Sequence, residues 1–126
     1  LDSSRDDLAA RVAARENAAS EQAAAELANA MSHVLDPGSL ARSHHFAELL
    51  QRASVASLAP HYPDVLDQGV KSAGFYVLAG ARMPAVLFET SFISNPTEER
   101  RLDQGDYRQK MADAIVNAVR AFRDGL

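Results

Sequence analysis

Glu89 is the residue of this chain best placed to do chemistry. It closes an apolar run, Ala85–Phe88, and is followed by Thr90-Ser91-Phe92-Ile93-Ser94 before Asn95-Pro96 opens a helix. A carboxylate at the carboxyl end of a buried strand stands where α/β proteins gather their reactive groups. There it would act as a general base or acid on water, worth about 10²–10⁴ in rate. Breaking an amide or ester also requires something to stabilise the electrophile, such as a metal ion or an oxyanion hole. The bland alternative is a strand-end glutamate that caps a nearby helix or pairs with Arg82. From the pattern alone, the bland alternative is the commoner outcome.

Few other residues compete. The histidines are His33, His44, His45 and His61. The adjacent pair diverges by about 100° on a helix. A zinc ion needs about three His or carboxylate ligands, and no stretch of the sequence clusters them. Ser91 and Ser94 lack the Gly-x-Ser-x-Gly elbow of a nucleophilic serine and read as loop hydroxyls bonded to local backbone. Glu98-Glu99-Arg100-Arg101 reads as a solvated helix turn. The absence of cysteine excludes disulfides and thiolate metal sites and leaves the compartment open. A net charge of −4 argues against a nucleic-acid partner. No apolar run approaches the ~20 residues of a membrane span. The opening Leu1-Asp2-Ser3-Ser4, without Met or signal peptide, resembles a cut into a longer polypeptide, though a mature N-terminus would look the same.

The elements that must position Glu89 follow from periodicity and punctuation. Residues 5–34 are rich in Ala, Arg, Glu and Gln, all helix formers. They predict one long helix, or two with a break near Ser20, with Leu8, Val12, Leu27 and Met31 as anchors. Asp36-Pro37-Gly38-Ser39 is a turn by composition. A helix from about Leu40 to Leu58 carries Phe46, Leu49, Leu50 and Ala53 on one face. Phe75–Leu78 and Ala85–Phe88 read as buried strands. The linker at 79–84 is too short for a helical crossover, so they pair as a hairpin or flank another strand. Asn95-Pro96-Thr97-Glu98 is a helix start with a capping box. Asp106 opens a last helix with a stripe of Tyr107, Met111, Ile115, Ala118, Val119 and Phe122. Two strands are too few to bury these helices, which predicts further sheet outside these residues.

The stretch Gly69–Leu78, then Met83-Pro84-Ala85-Val86-Leu87-Phe88-Glu89-Thr90-Ser91-Phe92-Ile93-Ser94-Asn95-Pro96-Thr97-Glu98-Glu99, resembles the zinc-dependent N-acetylmuramoyl-L-alanine amidases of bacterial cell-wall remodelling. Arg15-Glu16-Asn17-Ala18-Ala19 is similar to a segment upstream in that family. The resemblance implies an α/β fold of three layers, a mixed sheet flanked by helices, with its N-terminal strands missing. Residues 1–126 would be the C-terminal portion of a single catalytic domain. It implies hydrolysis of the amide between N-acetylmuramic acid and L-alanine in peptidoglycan, in the periplasm or cell wall. It maps the general base and acid onto Glu89 and places Thr90 and Asn95 as loop-shaping, substrate-binding positions. It implies Zn²⁺ as cofactor, held by residues upstream of Leu1. Asp36-Pro37-Gly38 is followed by Ser39 and is not equated with the family's first zinc block, so the chain alone is expected to be inactive. Some members carry an inserted helix that blocks the zinc site until an activator protein binds, and the alanine-rich stretch through Glu16, Glu21 and Glu26 lies roughly there. The alternative is a non-catalytic amidase-like remnant that binds peptidoglycan or a partner.

Overall fold

A computed structural model describes residues 3–18, 20–34 and 37–125. Among them are five α-helices: α1 (Ser3–Glu16), α2 (Glu21–Val34), α3 (Pro37–Leu58), α4 (Pro96–Leu102) and α5 (Gly105–Asp124). A single 3-10 turn covers Tyr76–Leu78. No strand is present among the described residues. This overturns the expected three-layer α/β fold with a mixed sheet.

The physical reason lies in the backbone hydrogen bonds of the two apolar runs. A strand persists only when its N–H and C=O groups find a ladder partner. In the first run the groups bond locally instead, Leu78 N–H to Phe75 O at 3.1 Å and Ala79 N–H to Tyr76 O at 3.0 Å. In the second, the Ala85 N–H goes to the Ser43 hydroxyl at 3.1 Å. Nor are the runs buried throughout: Phe75 is in the core, but Tyr76 and Val77 are exposed and Ala85–Phe88 only half-buried, so the β-formers here mark neither a sheet nor a continuous core.

The chain divides into two compact units. The first comprises Leu1–His44 and Val70–Leu87. In it α1 and α2 pack on each other. They are separate helices because Ala18 takes a left-handed φ of 48° just past α1, and the Ser20 hydroxyl then accepts from Ala23 N–H at 3.1 Å. Of the expected anchors, Val12 and Leu27 are half-buried. Residue Asp36 and the side chains of Leu8, Met31 and His33 lie outside the described residues. Pro37 and Gly38 open α3, not a turn; proline suits the first helical turn, where its missing N–H costs nothing. The core joins Ala13 and Phe75, with Val12, Ala73, Leu78 and Leu87 against them. Asn17 grips the neighbouring backbone at two points. Its Nδ2 donates to Gly74 O at 2.6 Å, and its Oδ1 accepts from Tyr76 N–H at 2.8 Å.

The second unit comprises His45–Gly69 and Phe88–Leu126. Its core joins Leu58, Tyr107 and Met111, with Tyr62, Val65, Phe88 and Leu102 packed around them. Along α5 the buried residues are Tyr107, Met111, Ala114 and Ala118. The stripe is therefore rotated from the expected one, and Ile115 and Val119 are 37% and 46% exposed. The small side chains at 114 and 118 continue the face begun by Tyr107 and Met111 at alternating three- and four-residue spacing. The N-cap of α5 is Gln104, and Asp106 sits within the first turn, where its charge favours the helix dipole.

Candidate functional site

The stretch from Phe88 to Glu98 lies within the second unit, and its ends are held by different means. Phe88 is packed into the core cluster. At the far end, Asn95 caps α4, its Oδ1 accepting from Thr97 N–H at 3.0 Å and Glu98 N–H at 3.4 Å. Pro96 occupies the first helical turn, as read from the sequence. The capping box differs from expectation. Asn95 N–H already donates to Phe92 O at 2.9 Å, so the Glu98 carboxylate reaches further upstream. Its Oε2 accepts from Phe92 N–H at 2.7 Å, and its Oε1 from Asn95 Nδ2 at 3.0 Å. Glu98 thereby ties the loop shut across six residues.

Glu89 is half-buried and lines an open cleft of about 340 Å³, together with Thr90, Phe92, Leu66, Gln51 and Arg101. Asn95 and Glu98 also line it. Helix α4 is capped by Asn95.

Beneath the loop, the Ser91 hydroxyl lies 2.6 Å from Thr90 O and 2.7 Å from the Tyr107 hydroxyl. The Tyr107 hydroxyl is also 3.3 Å from Thr90 O. Tyr107 is 3% exposed, and its ring meets Tyr62 edge-on with centroids 5.2 Å apart. Arg101 lies over the Tyr62 ring at 4.9 Å and pairs with Asp64. The Arg101 side chain is only 14% exposed. Glu98-Glu99-Arg100-Arg101 is therefore not simply a solvated turn: Arg100 is exposed, whereas Arg101 is built into the aromatic stack. Hydrogen bonding from Arg101, and then from its own backbone, holds the Asp64 carboxyl below its ordinary value of 3.8.

The sequence pattern places Tyr107 in an apolar stripe and assigns its hydroxyl no partner. A tyrosine at a core position of a helix signals a polar partner, because a buried phenol needs one. Nothing in the sequence pointed to the partnership of Tyr62 with Arg101.

Zinc does not fit the residues described here. Among them no group of three His, Cys, Asp or Glu side chains could hold a metal ion. Of the carboxylates lining the cleft, Asp64 is paired with Arg101, and both oxygens of Glu98 accept hydrogen bonds within its loop. His45 lies against Phe122, with ring centroids 6.2 Å apart, and His61 beside Tyr62 at 6.5 Å.

Comparison with known proteins shows the lineage. A family profile described as N-acetylmuramoyl-L-alanine amidase matches residues 12–121. The chain belongs to the N-acetylmuramoyl-L-alanine amidase family. This amidase-family chain is 39% identical over 82 residues to the uncharacterized protein YqiI of Bacillus subtilis, an alignment covering 65% of this chain and 37% of YqiI. It is 38% identical over 82 residues to N-acetylmuramoyl-L-alanine amidase LytC of the same organism, covering 65% of this chain and 16% of LytC. It is 48% identical over 52 residues to amidase AmiA of Salmonella typhimurium, covering 41% of this chain and 18% of AmiA. The chain thus spans well under half the length of these relatives. No solved structure matches it. Among the described residues no helix is long and apolar enough to cross a membrane.

Proposed function

We propose that this chain carries the general-base portion of a peptidoglycan amidase. In this reading the substrate is the amide between N-acetylmuramic acid and L-alanine, met in the periplasm or cell wall. Glu89 accepts a proton from the attacking water and returns it to the departing amine, the two-way role of a single carboxylate. Thr90 and Asn95 shape the wall around it. What supports the reading is a family match running from residue 12 to 121, with Glu89 lining the cleft inside it.

The zinc that the family resemblance implies has no ligand set among the described residues; the proposal places its ligands outside residues 1–126, and metal analysis of the full-length protein checks this. An activator protein acting on α1 and α2 belongs to the same proposal. In the full-length protein, Glu89→Gln should lower turnover of purified peptidoglycan by about 10²–10⁴ while leaving binding intact. Survival of activity in that variant would remove Glu89 as the base. Residues 1–126 alone should release no product.

A second reading is a non-catalytic module that binds peptidoglycan or a partner. Retention of peptidoglycan by the full-length protein without product release, with Zn²⁺ supplied, would decide for this reading.

A further inference from the structure

We infer that Tyr107 is a positioning residue for Glu89, acting through the carbonyl of Thr90. The inference rests on the reading of Glu89 as general base. It starts from a deficit: Glu89 and Thr90 lie outside any helix or strand, so no ladder sets the direction in which the carboxylate points. General-base catalysis depends on that direction, because the base must lie within hydrogen-bond reach of the proton it takes. Something other than secondary structure must hold the main chain here.

Tyr107 is built to do so. Three oxygens meet beneath the loop, those of the Thr90 carbonyl, the Ser91 hydroxyl and the Tyr107 hydroxyl, at separations of 2.6, 2.7 and 3.3 Å. Only two hydrogens are available to the three contacts, one on each hydroxyl. If Ser91 donates to Thr90 O, Tyr107 donates to Ser91; if Tyr107 donates to Thr90 O, Ser91 donates to Tyr107. Either order places a hydroxyl hydrogen on the Thr90 carbonyl, one residue after Glu89, and uses the Tyr107 hydroxyl to keep it there. The ring cannot easily swing away. It is 3% exposed, packed with Leu58 and Met111, and braced by Tyr62, which carries Arg101 on its face. Phe88, on the other side of Glu89, packs against the same core. The catalytic candidate is therefore flanked on both sides by contacts to one cluster. The three-atom network also makes Tyr107→Phe informative, because it removes one oxygen and retains the packing ring.

The test is a double-mutant cycle on the full-length protein with purified peptidoglycan. Tyr107→Phe should lower kcat by about 10-fold or more, in keeping with the sensitivity of catalysis to small displacements of a catalytic group, while KM stays within about 2-fold. Added to Glu89→Gln, it should cost almost nothing further, because a residue acting through Glu89 has no effect once the base is gone. A wild-type kcat in Tyr107→Phe, or full additivity in the double variant, overturns the inference. If Glu89→Gln itself retains activity, the general-base reading has failed first, and the inference falls with it. A readout free of substitutions is the Tyr107 hydroxyl proton in the unmodified protein. It should exchange slowly enough to give an NMR cross-peak to the Ser91 side chain, and free exchange with water overturns the inference.

Discussion

The two units solve one problem with different side chains. Each contains a segment outside any strand among the described residues, the run from Phe75 to Leu78 in the first and the loop from Phe88 to Phe92 in the second, and each holds it with a polar group projecting from a helix or its end. In the first unit, Asn17, just past α1, grips Gly74 O and Tyr76 N–H with both ends of its amide. In the second, Tyr107, in the first turn of α5, anchors the Thr90 carbonyl through a hydroxyl network. The amide is self-sufficient, since it offers a donor and an acceptor at fixed spacing. The phenol offers a single hydrogen, so it needs Ser91 to share the contact and a buried ring to hold its aim. A segment that only has to fold is served by the first device. Under the role proposed for Glu89, a segment that points a carboxylate would gain more from the second, because packing restricts the anchor itself.

Substitutions in both anchors sharpen or break that comparison. The largest effect is expected for Tyr107→Ala, which removes a buried aromatic ring from the core of the second unit. Loss of such a ring costs about 3–5 kcal/mol, read as a lower denaturant midpoint. A loss below about 1 kcal/mol would mean that the ring is not a packing element. Asn17→Ala should cost about 0.5–1.5 kcal/mol, because it removes the partner of the Gly74 carbonyl and of the Tyr76 N–H, which water can partly replace. Hydrogen exchange at Tyr76 should quicken in the same variant. Unchanged protection at that amide would show that the clamp is dispensable and the two anchors are not equivalent devices.

Asn95→Ala tests the far end of the second unit's loop. Removing an N-cap side chain costs about 0.5–2 kcal/mol, and the loss of Asn95 also frees Glu98 from one of its two partners. The smallest effect is the pH response of Asp64. Its pKa is depressed in the fold, so its ion pair stabilises above the ordinary value of 3.8 and is lost as pH falls through the lower folded value. Because this carboxylate is open to water, salt should screen the effect. Asp64→Asn should flatten the acid limb of a stability–pH curve at low salt, and an unaltered acid limb would show that the pair contributes nothing measurable.

The legibility of this chain followed the range of the forces involved. The start of α4 was readable because Asn95, Pro96 and Glu98 act within a few residues of one another. Even there the partner differs from a standard capping box, since the Glu98 carboxylate accepts from Phe92 N–H and Asn95 Nδ2 and not from the N–H of the capping residue Asn95. The break between α1 and α2 was readable near Ser20, but the left-handed Ala18 that makes it was not. The strands were misread at both runs. Val, Leu, Phe and Tyr occur in a helix, a turn or a sheet alike, only a pairing partner separates these cases, and here Tyr76 and Val77 are exposed as well as unpaired. On α5 the general face was correct, but its exact rotation depended on what the helix meets.

By itself, the sequence determined the helix formers, the turn and cap at residues 95–98, the candidacy of Glu89, and the lineage that residues 12–121 place beyond doubt. These are properties of local propensity and of pattern, and they survive without coordinates. Tertiary structure alone decided that the apolar runs are not strands, that Arg101 lies over a ring and pairs with a carboxylate 37 residues away, and that Tyr107 reaches Thr90 across 17. The physical reason is that a hydrogen bond or a ring contact between distant residues depends on how the backbone brings them together. Residue type states only that such a partner is required.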